Sequence, residues 1–388
     1  MPSGSMLMMN GVILRSRHLL LSSAVLLLLG TSLLAHSGCC LPTRLRHGFR
    51  ISPNPIWTTD LRPLGYYHDR LNPPGVVTAV RQIAFGSDKE LVVISDQGSL
   101  PRQPNRVRAY VLDADTGRIV RQENWDSHLH PYIFPTAAGN YVVNTLGGIR
   151  LYSHGLEGVL KTMNDSAQDA SPDGRSITVW DAVPGHAVTR FLDADTLEPT
   201  GAEFINKAVD SIGFNRIVYI GYLNRSPNAS VFVDDVSEDL TPYDTTCKEI
   251  RPRFVSNDVL AVFGCGQITL VTVQGKVLFT TEISEAKRWV APASRNGRRF
   301  ALVSTYESAA DWSKTCFERV DVFDLVKRDF VFKAEVRACR GTEGESGTAI
   351  SPEGRFLAVN SQGLVQMFLL PSFGEGPVTS SDVRDEAP

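Results

Sequence analysis

No phosphate loop, no GxGxxG after a strand, no HExxH and no GxSxG occurs in this chain of 388 residues. The standard signatures of nucleotide binding, zinc peptidase chemistry and serine hydrolysis are therefore missing. A positive charge excess is missing too. Lys and Arg number 39 against 42 Asp and Glu, a net charge of −3, and no basic stripe emerges, which excludes an electrostatic binder of nucleic acid. Beyond residue 34 no apolar run approaches the ~20 residues of a membrane span. Helical periodicity is missing throughout the body, which excludes an α or α/β fold. Cysteine is scarce, with six residues.

The one long apolar run lies near the start. Arg15, Arg17 and His18 precede Leu19–Leu34, and the small residues Ala35, Ser37 and Gly38 follow. A charged region, an apolar region and a small-residue zone make an export segment. Ala35-His36-Ser37 fits cleavage before Gly38. Cys39 also admits a lipid-anchored alternative, and an uncleaved anchor is a third. Each version sends the body out of the cytoplasm, into a secreted, periplasmic or lipid-anchored state.

That body repeats itself. Residues 111–117 read Val-Leu-Asp-Ala-Asp-Thr-Gly, residues 191–197 read Phe-Leu-Asp-Ala-Asp-Thr-Leu, and residues 322–325 read Val-Phe-Asp-Leu. Upstream of them stand tight-turn signals: Phe-Gly-Ser-Asp at 85–88, Ser-Pro-Asp-Gly at 171–174, Ser-Arg-Asn-Gly at 294–297 and Ser-Pro-Glu-Gly at 351–354. Each turn separates short runs rich in Val, Ile, Phe and Tyr, as strands require. Turn, strand, loop, strand and Asp-rich turn, repeating about every forty residues, specify a β-propeller. First strands beginning near Arg81, Tyr132, Asp165, Val209, Ile250, Trp289 and Gly347 predict seven blades, each a four-stranded antiparallel meander. The fold class is thus all-β.

The last blade lacks an outer strand before Pro371, so the segment around Phe49–Asp60 is expected to supply it and close the ring, since an open ring leaves an unpaired strand edge. The expected organisation is an export segment over 1–42, one propeller over 43–371 and a disordered Gly/Ser/Asp/Glu tail over 372–388.

Four cysteines fall in the body. Cys247 and Cys265 lie symmetrically about Ser256, and Cys316 and Cys339 about the turn at Lys327-Arg328. Residues equidistant from a hairpin turn face one another. An exported compartment permits disulfides, so the pairs Cys247–Cys265 and Cys316–Cys339 are expected. A zinc site is disfavoured because no pair has short ligand spacing.

In a propeller the loops entering each innermost strand converge on one mouth of the central channel. Asp126-Ser127-His128-Leu129-His130-Pro131 is such a loop. His128 and His130 share one side of an extended strand. With Asp126 they form a candidate divalent-metal set, supported by His68 and Asp69 in the equivalent loop before the first blade. The simpler reading of such a His is a hydrogen-bond partner within the fold. Other expected mouth positions are Asp165, Gln168, Asp169, Lys207, Asp210, Lys248, Arg251, Lys287, Arg288, Glu343 and Glu345, whose simpler reading is a solvated rim.

The Ser-Pro-Asp-Gly turns and the Asp-Ala-Asp-Thr-Gly phrase resemble the WD40-like and YVTN-type, quinoprotein-like propellers of exported bacterial proteins, over about 43–371. One departure stands out. Trp180-Asp181 has the form of the WD dipeptide but ends a second strand, where the repeat places it at the end of the third, here Leu112-Asp113 and Leu192-Asp193. The resemblance implies either of two functions, between which fold does not choose. The first is a non-catalytic, secreted propeller, a monomer without cofactor that binds a protein or peptide through its loop faces. The second is a propeller enzyme, a lactonase or quinoprotein-type dehydrogenase, with its site at the channel mouth.

Overall fold

The computed structural model describes residues 54–64, 77–98, 105–127, 132–183, 186–222, 228–235, 242–282, 287–290, 293–306, 316–338, 347–361 and 363–373. The expected export segment and the end of the expected tail lie outside them. The described residues form twenty-eight strands in seven four-stranded antiparallel sheets. Blade one is β2 (Val77–Ser87), β3 (Glu90–Gly98), β4 (Asn105–Asp113) and β5 (Ile119–Ser127). Blade two is β6 (Ile133–Pro135), β7 (Tyr141–Thr145), β8 (Gly148–Tyr152) and β9 (Val159–Met163). Blade three is β10 (Ala167–Ala170), β11 (Ser176–Val183), β12 (His186–Asp193) and β13 (Pro199–Ile205). Blade four is β14 (Ser211–Gly213), β15 (Arg216–Gly221), β16 (Ser230–Asp235) and β17 (Tyr243–Asp244). Blade five is β18 (Ile250–Ser256), β19 (Val259–Gly264), β20 (Gln267–Thr272) and β21 (Val277–Glu282). Blade six is β22 (Lys287–Val290), β23 (Arg299–Tyr306), β24 (Cys316–Asp324) and β25 (Asp329–Ala338). Blade seven is β26 (Thr348–Ile350), β27 (Phe356–Ser361) and β28 (Leu364–Leu369), completed by β1 (Trp57–Asp60) on the outside of β28.

The expected seven-bladed propeller is therefore the observed fold, and the chain's start closes it. Trp57 pairs with Met367 and Asp60 with Leu364. The seam is fixed from blade one as well. Trp57 Nε1 donates to Ala114 O at 2.7 Å and Thr59 Oγ1 to Gly117 O at 2.6 Å. Gly117 is required here: it sits at φ +71°, and a Cβ would lie 2.5 Å from the Trp57 ring.

Apolar burial follows the ring. Each of seven buried clusters fills the gap between two neighbouring blades. Alternation along each strand places one set of side chains toward the preceding blade and the other toward the next, which is why these strands are apolar on both faces.

The repeated phrases explain themselves locally. In Ser171-Pro-Asp-Gly, the Ser171 hydroxyl accepts from Ser176 N at 3.0 Å and donates to Asp173 at 2.6 Å. Ser294 and Ser351 accept equivalently from Arg299 N at 2.8 Å and Phe356 N at 3.1 Å. In the Asp-rich turn, Asp113 Oδ1 accepts from Thr116 N at 2.8 Å and Thr116 Oγ1 at 2.7 Å. Asp193 accepts from Asp195 N, Thr196 N and Thr196 Oγ1 at 3.1, 2.9 and 2.9 Å. The second aspartate of that phrase, Asp195, reaches the turn of blade two, accepting from Thr136 Oγ1 and from Ala138 N at 3.1 Å. Both phrases lie at the lower end of the ring, where they satisfy backbone groups that strand ladders leave open.

Candidate functional site

The innermost strands enclose a central channel, a cavity of about 650 Å³ bordered by residues of all seven blades. Part of its wall is structural. Gln82 on β2 brackets Ile133 on β6, donating to its carbonyl and accepting from its amide, both at 2.9 Å. Asn144 on β7 does the same for Ala167 on β10, at 2.8 and 2.9 Å. These side-chain amides bond to backbone groups of the neighbouring blade's innermost strand, where no strand ladder joins the two sheets.

The upper rim differs. Innermost strands begin here, and second and third strands meet. Tyr132 is 41% exposed and stacks on Phe134 with ring centroids 6.0 Å apart. Trp180, near the top of β11, is 54% exposed. Arg253 on β18 donates to Asp210 O at 2.9 Å and lies 3.8 Å from Asp169 on blade three, so one guanidinium links three blades. Lys207 lies over the Tyr219 ring at 4.6 Å, donates to its hydroxyl at 3.0 Å and pairs with Asp234 at 2.9 Å. The Tyr219 hydroxyl and then Asp234 push the ammonium pKa above its usual value. Burial at the rim pushes the Asp210 carboxyl up, against the downward pull of the Ile220 amide and Arg253.

The lower end is crossed from side to side. Arg295, in the turn of blade six, donates from Nη1 to Ala137 O at 3.2 Å and from Nη2 to Phe85 O and Gly86 O at 3.3 and 3.1 Å. It thus reaches blades one and two. Asn257 of blade five donates to Asp173 of blade three at 2.6 Å. Burial pushes the Arg295 pKa below its usual value while Tyr141, Asp195, Asp88 and Glu353 pull it up.

The expected rim residues separate into groups. Gln168, Asp169, Lys207 and Asp210 border the cavity. Asp165 stands beside Arg190 at 3.9 Å. Lys248 and Arg251 are exposed and do not border the cavity. The side chains of Lys287 and Arg288, and the whole of Glu343 and Glu345, lie outside the described residues, as do His68, Asp69, His128 and His130. Asp126 is exposed at the end of β5. Among the described residues no cluster of three His, Cys, Asp or Glu side chains has metal-holding geometry.

Four contributors were missed by the sequence reading. Arg253 had a signal: it alternates with Arg251 on a strand already recognised. Trp180 had one in its misplaced dipeptide, since a Trp outside the repeat's usual place has no reserved core slot. Tyr132 was recognised only as a strand start. Arg295 had no signal, because its role depends on residues 158 and 210 positions away.

The Cys247–Cys265 disulfide is present, with Cα atoms 5.7 Å apart. Its geometry corrects the symmetric-hairpin derivation. The ladder pairs Ile250 with Gly264, so Cys247 precedes β18 and Cys265 occupies the β19–β20 turn at φ +49°. The bridge staples the segment entering blade five to that blade's own upper hairpin, beside the two-residue outer strand β17. In blade six the backbone pairs Cys316 with Ala338, and Cys339 lies outside the described residues.

No protein-family model and no curated protein matches this sequence. Among solved structures, a chain of a mitotic checkpoint complex is similar at 14% identity, over 82% of this chain and 93% of its own, with a TM-score of 0.45. A putative TolB from Agrobacterium tumefaciens is similar at 18% identity, over 64% of this chain and 94% of its own, with a TM-score of 0.37. The strand order by itself specifies a seven-bladed β-propeller.

Proposed function

We propose that this protein is an exported, non-catalytic propeller that binds a protein or peptide partner across the upper face of its ring. The observation that carries this reading is the exposed Trp180 and Tyr132 beside the cationic Lys207 and Arg253 at the channel mouth. Trp, Tyr and Arg are the side chains that supply most binding energy at protein interfaces. An indole left half in water is surface that a partner gains by covering.

Export is supported by the charged and apolar run before Gly38 and by the Cys247–Cys265 bridge, which an oxidising compartment preserves. In this reading residues 1–42 direct export, 43–371 form the ring and the chain acts as a monomer.

Panning a displayed peptide library on the purified protein tests the partner. Selected peptides are expected to lose about thirtyfold in affinity for Trp180→Ala, the ~2 kcal/mol of an interface hot spot. An empty selection, or peptides held equally by Trp180→Ala, would defeat the reading.

A further inference from the structure

The lower end of the channel holds a cation with an unusual set of partners. Arg295 borders the cavity, and its guanidinium is held by three backbone carbonyls, those of Phe85, Gly86 and Ala137. Carbonyls orient a guanidinium and occupy donors, yet they bring no net charge. Among the described residues no carboxylate lies within ion-pair distance of it. Asp88, Asp195 and Glu353 act on it only at longer range. A cation largely withdrawn from water is ordinarily paired with an anion, and Arg295 is partly buried.

Donor arithmetic leads the same way. A guanidinium has five N–H groups. Nη1 serves one carbonyl and Nη2 the other two. The Nε–H and the second Nη1–H have no acceptor among the described residues. They lie on different edges of the guanidinium, so each offers a single charge-assisted hydrogen bond to a carboxylate oxygen.

The surroundings favour a ligand over a plug alone. The cavity holds about 650 Å³ above this floor, ample for a side chain or a chain terminus. Its rim cations are already engaged: Lys207 with Asp234, and Arg253 with Asp169 and the Asp210 carbonyl. Arg295 is the cation at the floor with no carboxylate at ion-pair distance among the described residues, with Asp88, Asp195 and Glu353 acting on it from further away.

We propose that the channel receives a carboxylate and that Arg295 binds it at the floor. The source is a side chain or C-terminus of the partner, or a free small carboxylate. This deepens the binding reading of the upper face, through which the group would enter. Arg295 then serves twice, tying blade six to blades one and two and recognising the ligand's charge.

The test uses the full folded protein and two probes of nearly equal shape, succinate and its neutral diamide, succinamide. Calorimetric titration is expected to show saturable succinate binding, at least tenfold weaker or absent succinamide binding, and loss of succinate binding in Arg295→Gln. Arg295→Lys, which keeps the charge but loses the guanidinium that the three carbonyls hold in place, is expected to bind succinate at least threefold more weakly, and it serves if the glutamine variant does not fold. Peptides selected on the wild-type protein are then compared as free acids, as C-terminal amides, and with Asp or Glu replaced by Asn or Gln. Whichever change abolishes binding names the source. No succinate binding, equal binding of the two probes, or full affinity in the Arg295 variants would overturn the proposal. Peptides that bind while succinate fails would sink this proposal alone. Succinate binding with an empty peptide selection would sink the partner reading alone.

Discussion

The two ends of the channel are built from the same strands and obey different rules. At the lower end, serine and aspartate side chains close each turn on itself, and turns of different blades bond to one another: Ala137 N to Gly174 O at 2.8 Å, Asn296 N to Pro352 O at 3.1 Å, Glu353 N to Asp88 at 3.1 Å. At the upper end the described residues show exposed aromatics, long cations and a disulfide in place of repeated turns. At one end the turns bond mostly to themselves and to one another, with Arg295 of the blade-six turn reaching into the channel, and the other end presents exposed groups that a partner can use. The recurring motifs of this chain therefore mark mainly architecture, and the exposed face of the candidate site lies where they are absent.

The largest expected effect sharpens that contrast from below. Arg299, 1% exposed, bonds Asp324 at 3.2 Å and the carbonyls of Gly354 and Pro371, both at 2.8 Å, with the Phe373 ring 4.1 Å away. Asp324 is the blade-six counterpart of Asp113 and Asp193. Arg299→Met is expected to lower stability by about 3–5 kcal/mol, because it removes one partner of a buried ion pair and leaves Asp324 only the more distant Arg298, at 3.8 Å, while peptide affinity stays unchanged. Urea unfolding and a binding titration check both halves.

The next effect comes from above. Cys265→Ser opens a bridge between positions 18 apart in sequence. It is expected to cost about 3 kcal/mol in the chain-entropy view and, unlike Arg299→Met, to weaken binding by loosening the entry to blade five. If binding survives the loss of the bridge intact, the upper hairpin of blade five is no part of the site.

Asp193→Ala removes three turn bonds and is expected to cost about 1–2 kcal/mol, read as a shifted urea midpoint. Binding should again be untouched.

The smallest effect is a difference of sign with pH. The Thr116 hydroxyl, donating to Asp113, holds that carboxyl below its usual range. Its stabilisation is present above the unfolded value of about 3.9 and is lost as pH falls through the lower folded value. Asp210 at the mouth runs the other way. Burial raises its pKa, so stability falls as pH rises from about 3.9 through the raised folded value. Asp113→Asn is therefore expected to flatten the acid loss of stability, and Asp210→Asn to stabilise the protein at pH 7 with no gain at pH 3. Unfolding curves across that range decide; the same sign for both would break the comparison.

Legibility in the sequence followed the range of the interactions. The Ser-Pro-Asp-Gly turns close within five residues, between Ser171 and Ser176, so their composition alone declared them. The Cys247–Cys265 partners were legible, but their register was not. The ladder shifts at Phe254/Ser256 and Cys265 turns left-handed, while Cys247 and Phe254 pack in the cluster between blades four and five, and none of these has a local sequence signal. Leu197 stands where the first phrase has Gly117. Both adopt positive φ, yet only Gly117 lies under the Trp57 ring, a contact between residues 60 apart in number.

By itself the sequence determined the all-β class, seven four-stranded blades, the turn at the foot of each recognised repeat and the N-terminal strand that closes the ring. All but the last follow from side-chain alternation and turn chemistry that act within about ten residues, and the closing strand follows from the outer strand that blade seven lacks. Only the tertiary structure decided which side chains border the channel, that Arg253 joins three blades at the rim and that Arg295 crosses the floor. Ring closure brings residues 85, 137 and 295 to one point, and no local pattern encodes a convergence that arises from the curvature of seven packed sheets.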